Sequence, residues 1–246
     1  MSTALQASRS PAAVSLWWAP LDVCTAARRA LEASLNADEL RRADRFHRPL
    51  DRERFVTARG WLRRLLATQL GCAPEEIQIV LGEHGKPRLA GAELFFNAAR
   101  SAGLALYATS STIEVGVDIE EVRVDGGVDG IATRFFSSTE RRALASVPPR
   151  ERLAAGFECW AFKEAYAKGI GAGLTLPLQT VDVWVGAGRP SVVHGWSVHP
   201  VAVAPGFAAA VAAASPRWPP PGGNSSGVRA EPLGIEIDQT SRPDVE

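Results

Sequence analysis

Two long stretches of helical periodicity, Arg52 to Leu70 and Glu151 to Gly169, are each followed by a group of short apolar and β-branched segments. This order constrains the fold more than any other feature of the chain. In the first stretch Phe55, Ala58, Leu62, Leu65 and Leu66 recur at the spacing of one helix face, and Gly71 supplies a stop. Asn36 with Glu39, and Ser137 with Glu140, have capping-box spacing, so helices should begin near Ala37 and just after Ser137, the latter running through Ala145. A further helix is predicted over Val128 to Phe136, and Gly169, Gly171 and Gly173 should end the second long one. Strands are predicted at Val14–Trp18, Ile77–Leu81, Leu94–Phe96, Leu104–Ala108 and Ile113–Ile119, then at Val181–Val185, Val192–Val198 and Phe207–Ala213. The Gly82–Pro87 stretch reads as a turn. Helices followed by strands, twice, favour an α+β fold with helices on antiparallel sheet over an alternating parallel one.

The divisions follow from these elements. Residues 1–12 read as a flexible leader, 13–112 as a first half and 113–215 as a second half that carries the acidic strand described next. Residues 216–246, rich in Pro, Gly and Ser (Pro219-Pro220-Pro221-Gly222-Gly223), read as a disordered tail.

Composition excludes several classes. Formal net charge is zero, which gives no general attraction to nucleic acid or membrane. Nine arginines nevertheless fall between Arg41 and Arg64, either as a salt-bridged helical face or as a local anion site. No stretch is long and apolar enough for a membrane-spanning helix. No secretory leader is evident before Pro11, and Cys24, Cys72 and Cys159 lack zinc spacing or disulfide pairing, which fits the reducing cytoplasm. His47, His84, His194 and His199 form no metal or triad pattern.

The chemistry concentrates in two segments. In Gly116-Val117-Asp118-Ile119-Glu120, Asp118 and Glu120 lie two apart on a strand and so share a face. Two carboxylates on a buried face are costly unless a cation joins them; at an exposed strand end they merely hydrate. Glu140 is a third acid, either an oxygen ligand suited to Mg²⁺ or simply the far member of its capping box. In Trp160-Ala161-Phe162-Lys163-Glu164-Ala165-Tyr166-Ala167-Lys168, residues Trp160, Glu164 and Lys168 recur at i, i+4, i+8. Glu164 and Lys168 are either an ordinary helix-face ion pair or a base and an acid held side by side. Lys163 and Lys168 could also hold phosphates, as could Lys86 in its turn.

Taken in order, Gly85-Lys86-Pro87, Phe96-Asn97, Gly116 to Glu120, Arg134 to Glu140, and Trp160 to Lys168 with Gly173-Leu174 make the chain resemble the Sfp-type 4′-phosphopantetheinyl transferases, over about residues 36 to 214. The resemblance implies a monomer of two similar halves in pseudo-twofold arrangement, with coenzyme A between them. It implies Mg²⁺-dependent transfer of the phosphopantetheine arm to a serine of an apo acyl or peptidyl carrier protein, releasing adenosine 3′,5′-bisphosphate, in the service of polyketide, nonribosomal peptide or siderophore synthesis. By position, Asp118, Glu120 and Glu140 would hold the metal, Glu164 would deprotonate the serine, and Lys168 would steady the leaving phosphate. Arg59, Lys86 and Pro87 would meet the nucleotide. Where the family has Ser-His, this chain has Ala99 and Arg100. Arg100 can replace a histidine phosphate ligand with a permanent charge, whereas Ala99 supplies no hydroxyl.

Overall fold

The computed structural model describes residues 14–82, 84–125, 127–173, 176–219 and 228–233. The expected leader, Leu174 of the last motif, and the tail residues 220–227 and 234–246 lie outside them.

The first half begins with strand β1 (Val14–Pro20) and three helices, α1 (Thr25–Glu32), α2 (Ala37–Ala43) and α3 (Pro49–Leu70). A small hairpin of β2 (Ile79–Leu81) and β3 (Pro87–Leu89) follows, then β4 (Phe95–Ser101) and β5 (Leu104–Ser110). The second half repeats the plan with β6 (Val115–Glu121), α4 (Val128–Phe135), α5 (Ser138–Ser146), α6 (Pro149–Ile170), β7 (Ser191–Val193), β8 (Trp196–Ala202) and β9 (Phe207–Ala213). Both expected capping boxes form: Asn36 with Glu39, and Ser137 with Glu140. Gly71 and Gly171, both left-handed, end the two 22-residue helices. Gly169, expected as a terminator, is inside α6.

The sheets show how alike the halves are. In the first, β1 pairs with β5 and β5 with β4; in the second, β6 pairs with β9 and β9 with β8, all antiparallel. First strand, last strand, middle strand is the order in both. Period-two alternation then divides the core. Ala105 and Tyr107 face α3, while Leu106 and Ala108 meet Val115, Val117, Ile119 and Val211 of the other sheet. Ala210 and Ala212 turn outward onto α6. The layers run helix, sheet, sheet, helix.

The two sheets meet where edge strand β4 lies against edge strand β6. Free strand-edge amides there are satisfied by side chains: Asn97 Oδ1 accepts from Val117 N at 3.0 Å, and Ser101 Oγ from Glu121 N at 3.1 Å. The counterpart of this seam under the pseudo-twofold lies between β8 and β1. There the chain returns as β10 (Val228–Arg229), parallel to β8, and β11 (Glu231–Pro232), parallel to β1. Residues 228–233, placed by sequence in a structureless tail, thus link both sheets, with Ala230 buried in the core they share.

Two strand expectations change. Val181–Val185 forms no strand, because the Val183 and Trp184 amides donate to Glu140 Oε1 instead of to a neighbouring strand. The run Val192–Val198 is a hairpin, β7 to β8, turned by His194 and Gly195 at positive φ.

Candidate active site

Gly116 sets the site's geometry. A β-carbon there would lie 2.1 Å from Ala165 O and 2.3 Å from Gly169 N, so only glycine lets α6 seat this closely on β6. Asp118 and Glu120 share the strand face of Gly116 and therefore meet the α6 face of Trp160, Glu164 and Lys168. Lys168 Nζ donates to Asp118 Oδ1 at 2.5 Å, and the Trp160 indole N–H donates to Glu120 Oε1 at 3.2 Å. Glu164 lies one helical turn from each of those two residues and interacts electrostatically with Asp118, Glu120 and Lys168.

Burial sets the chemistry. The Asp118 side chain is 4% exposed and its Oδ2 has no hydrogen-bond partner among the described residues. Desolvation pushes its carboxyl up to about 7 against the pull of Lys168, with Glu120 and Glu164 adding repulsion. Desolvation also raises Glu164, Lys168 opposes this, and Glu120 reinforces it. Both carboxyls thus hold a proton more readily than an exposed carboxylate does.

Among the described residues no three His, Cys, Asp or Glu side chains converge into a ready-made metal cage. The donor set still fits a hard cation. Asp118 Oδ2 is an orphaned buried oxygen, and Mg²⁺ is usually held by one or two carboxylates with substrate phosphates and water completing its shell.

Lys168 also lines a cavity of about 360 Å³ shared with Arg42, Arg59, Pro87, Arg100 and Tyr107. The Arg100 guanidinium lies 5.7 Å from the ring centroids of both Phe46 and Phe55, and Arg42 lies 5.5 Å from Phe55. Neither arginine has a carboxylate ion-pair partner within 4.0 Å among the described residues. Their positive charge faces the cavity, and desolvation, with repulsion from Arg42 second, lowers the Arg100 pKa from its usual value. Arg59 also reaches the cavity, but Glu39 Oε1 takes its Nε and Nη2 at 3.0 and 2.7 Å. A larger cavity, about 660 Å³ between Trp17, Trp61 and Cys72, contains none of the expected site residues.

Three expected site residues are placed elsewhere. Glu140 is fully buried with both oxygens engaged: Oε2 accepts from Ser137 N and ion-pairs with Lys163 Nζ at 2.7 Å, and Oε1 accepts from Val183 N and Trp184 N. Its oxygens are thus occupied by protein groups rather than left open. The further carboxylate whose charge acts on both Asp118 and Glu120 is Glu164. Lys163, equally buried, donates to Leu178 O and Val181 O and ion-pairs with Glu140, so its ammonium is turned into the core rather than toward a phosphate. Lys86 turns its ammonium inward to Glu114 at 2.6 Å, Val115 O at 3.1 Å and Gly169 O at 2.5 Å, where it braces the end of α6. Sequence reasoning also passed over Arg42, although the arginine-rich stretch was its signal, and Ser101, whose hydroxyl reaches Glu120 Oε2 at 3.1 Å.

Comparison with known proteins gives the chain's family. Residues 114–202 match the family model described as the 4′-phosphopantetheinyl transferase superfamily. The chain is 35% identical over 214 residues to the 4′-phosphopantetheinyl transferase HetI of a Nostoc species, covering 84% of this chain and 90% of that protein. It is 27% identical over 192 residues to the 4′-phosphopantetheinyl transferase Sfp of Bacillus subtilis, covering 75% and 84% of the two chains. A putative 4′-phosphopantetheinyl transferase of a Synechocystis species is 36% identical over 153 residues, covering 61% and 62%.

Proposed function

The chain belongs to the 4′-phosphopantetheinyl transferase superfamily, and from that premise we propose how its residues divide the work. The enzyme transfers the 4′-phosphopantetheine arm of coenzyme A to a serine of a carrier protein. The serine oxygen forms a new bond to the phosphorus that carries the pantetheine arm. The phosphoanhydride bond breaks, and adenosine 3′,5′-bisphosphate leaves with the electron pair.

In this reading Glu164 takes the serine proton, for which its raised pKa suits it. Lys168, a third exposed and directed into the cavity, turns from Asp118 to the leaving phosphate. Asp118 and Glu120 hold Mg²⁺, which when bound neutralises the diphosphate. Arg42 and Arg100 hold the phosphorylated nucleotide end, with Arg59 and Pro87 as neighbouring walls. Most of the remaining work is positioning and electrostatics. The observation that carries the reading is Asp118, whose buried carboxylate keeps one orphaned oxygen and accepts on the other a hydrogen bond from Lys168, a residue that itself lines the arginine-lined cavity.

The partner is an apo acyl or peptidyl carrier domain of polyketide, nonribosomal peptide or siderophore synthesis, and the enzyme works as a cytoplasmic monomer. Free Cys24, Cys72 and Cys159 are compatible with that compartment. No helix among the described residues is long and apolar enough to cross a membrane.

Incubation with apo carrier protein, coenzyme A and Mg²⁺, followed by intact-mass spectrometry, tests the proposal. A gain of one phosphopantetheine arm that EDTA abolishes is expected. Transfer that survives complete metal removal would overturn the metal assignment.

A further inference from the structure

Glu120 receives two hydrogen bonds from opposite halves of the molecule. Its Oε1 accepts from the Trp160 indole on α6, and its Oε2 from the Ser101 hydroxyl at the end of β4. The sense of the second bond is fixed. Ser101 Oγ already accepts the Glu121 amide at 3.1 Å, so its single proton turns to Glu120. The indole N–H can only donate. Each donor therefore occupies one lone pair on a different oxygen. The remaining lone pair of each oxygen stays free for a ligand.

Both donors are themselves held in place. The Trp160 ring packs on Phe135 with centroids 4.9 Å apart. Ser101 is fixed on the β4–β6 seam by the amide it accepts. Asp118 and Glu164 lack such support. Asp118 has Lys168 on one oxygen and nothing on the other, and no hydrogen bond reaches the Glu164 carboxylate among the described residues. Glu120 is thus the one carboxylate of the three with a donor on each oxygen among the described residues.

Resting on the metal site proposed above, we propose that Ser101 and Trp160 are positioning residues that hold Glu120 in a single orientation for the cation. Such outer partners of a metal-binding carboxylate are worth about 10–100-fold in metal affinity. The test is a Mn²⁺ titration with coenzyme A present, following free Mn²⁺ by electron paramagnetic resonance. Ser101→Ala and Trp160→Phe should each weaken Mn²⁺ binding by about tenfold, while Ser101→Thr, which keeps the hydroxyl, should stay near wild type. Trp160→Phe keeps a ring on Phe135, and thermal melting checks that it folds; if it does not, the Ser101 pair decides. Unchanged affinity in Ser101→Ala, or an equal loss in Ser101→Thr, would overturn the proposal. A crystal structure of the Ser101→Ala, Trp160→Phe double variant, or of Ser101→Ala alone if the double variant does not fold, reads orientation directly. Glu120 in more than one conformer is expected, and one unchanged conformer would refute it. Should wild-type protein bind no Mn²⁺ with coenzyme A, the metal site fails, and that crystal structure still decides the positioning role.

Discussion

Helix α6 carries two lysines five residues apart, each paired with a buried carboxylate, and the two pairs differ in everything except chemistry. Lys163 and Glu140 are both fully buried, and each is saturated by backbone partners. Together they fasten α6 to the start of α5 and to the 178–184 segment. Lys168 and Asp118 form a still shorter contact, 2.5 Å against 2.7 Å, but Lys168 is a third exposed and Asp118 keeps one oxygen without a partner among the described residues. A pair whose hydrogen-bonding capacity is used up serves structure. A pair with capacity left over, beside a cavity, is available for chemistry. Sequence shows a lysine and an acid in both cases; satisfaction separates them.

That contrast can be broken at several points, the largest first. Asp118→Ala should reduce transfer by about a thousandfold or more, as expected when several kcal/mol of metal-borne charge stabilisation is lost. Retention of a tenth of the activity would place the working pair elsewhere. Glu164→Gln should cost about 10²–10⁴-fold in kcat, the usual worth of a general base, with coenzyme A affinity measured by calorimetry unchanged. Lys163→Met should lose about 3–5 kcal/mol of stability in denaturant unfolding, because it strands the buried Glu140 charge. Its turnover per folded molecule should stay close to wild type; a selective loss of turnover would return Lys163 to the active site.

Arg100→Ala should raise the KM for coenzyme A about tenfold or more, the worth of a charge-assisted hydrogen bond of about 1.5–3 kcal/mol. A fall in kcat alone would assign Arg100 to the transition state instead. The smallest effect concerns pH. Asp118 titrates at about 7 in the folded protein against an ordinary 3.8. Between those values the folded state holds a proton that the unfolded chain has released, so this group makes stability fall as pH rises through that window. Asp118→Asn should flatten that slope and melt a few degrees higher than wild type at pH 8 in metal-free buffer; an unaltered pH dependence of Tm would refute the raised pKa.

Much of this was legible in sequence where the governing contacts are local. Both capping boxes, the face of Arg52–Leu70, and the i, i+4, i+8 alignment of Trp160, Glu164 and Lys168 depend on near neighbours along the chain. The shared strand face of Asp118 and Glu120 does so too. The misplacements are all long-range. Nothing near Glu140 announces that the amides of Val183 and Trp184 will meet it, and the same contact removes the strand that Val181–Val185 would otherwise favour. Lys86 is drawn inward by Glu114, twenty-eight residues away, and by the carbonyl of Gly169, eighty-three residues away in sequence. In the tail, the Pro- and Gly-rich stretch before it hid the short run from Val228 to Leu233, which completes the seam between β8 and β1.

The most direct test compares the two carboxylates in one assay: Mn²⁺ binding in the presence of coenzyme A by Asp118→Asn and Glu140→Gln, each at a temperature where it is folded. Asp118→Asn should lose the high-affinity Mn²⁺ site, whereas Glu140→Gln should keep it and show only a lowered Tm. Loss of the site in Glu140→Gln with binding intact in Asp118→Asn would contradict the division between the working and the structural pair.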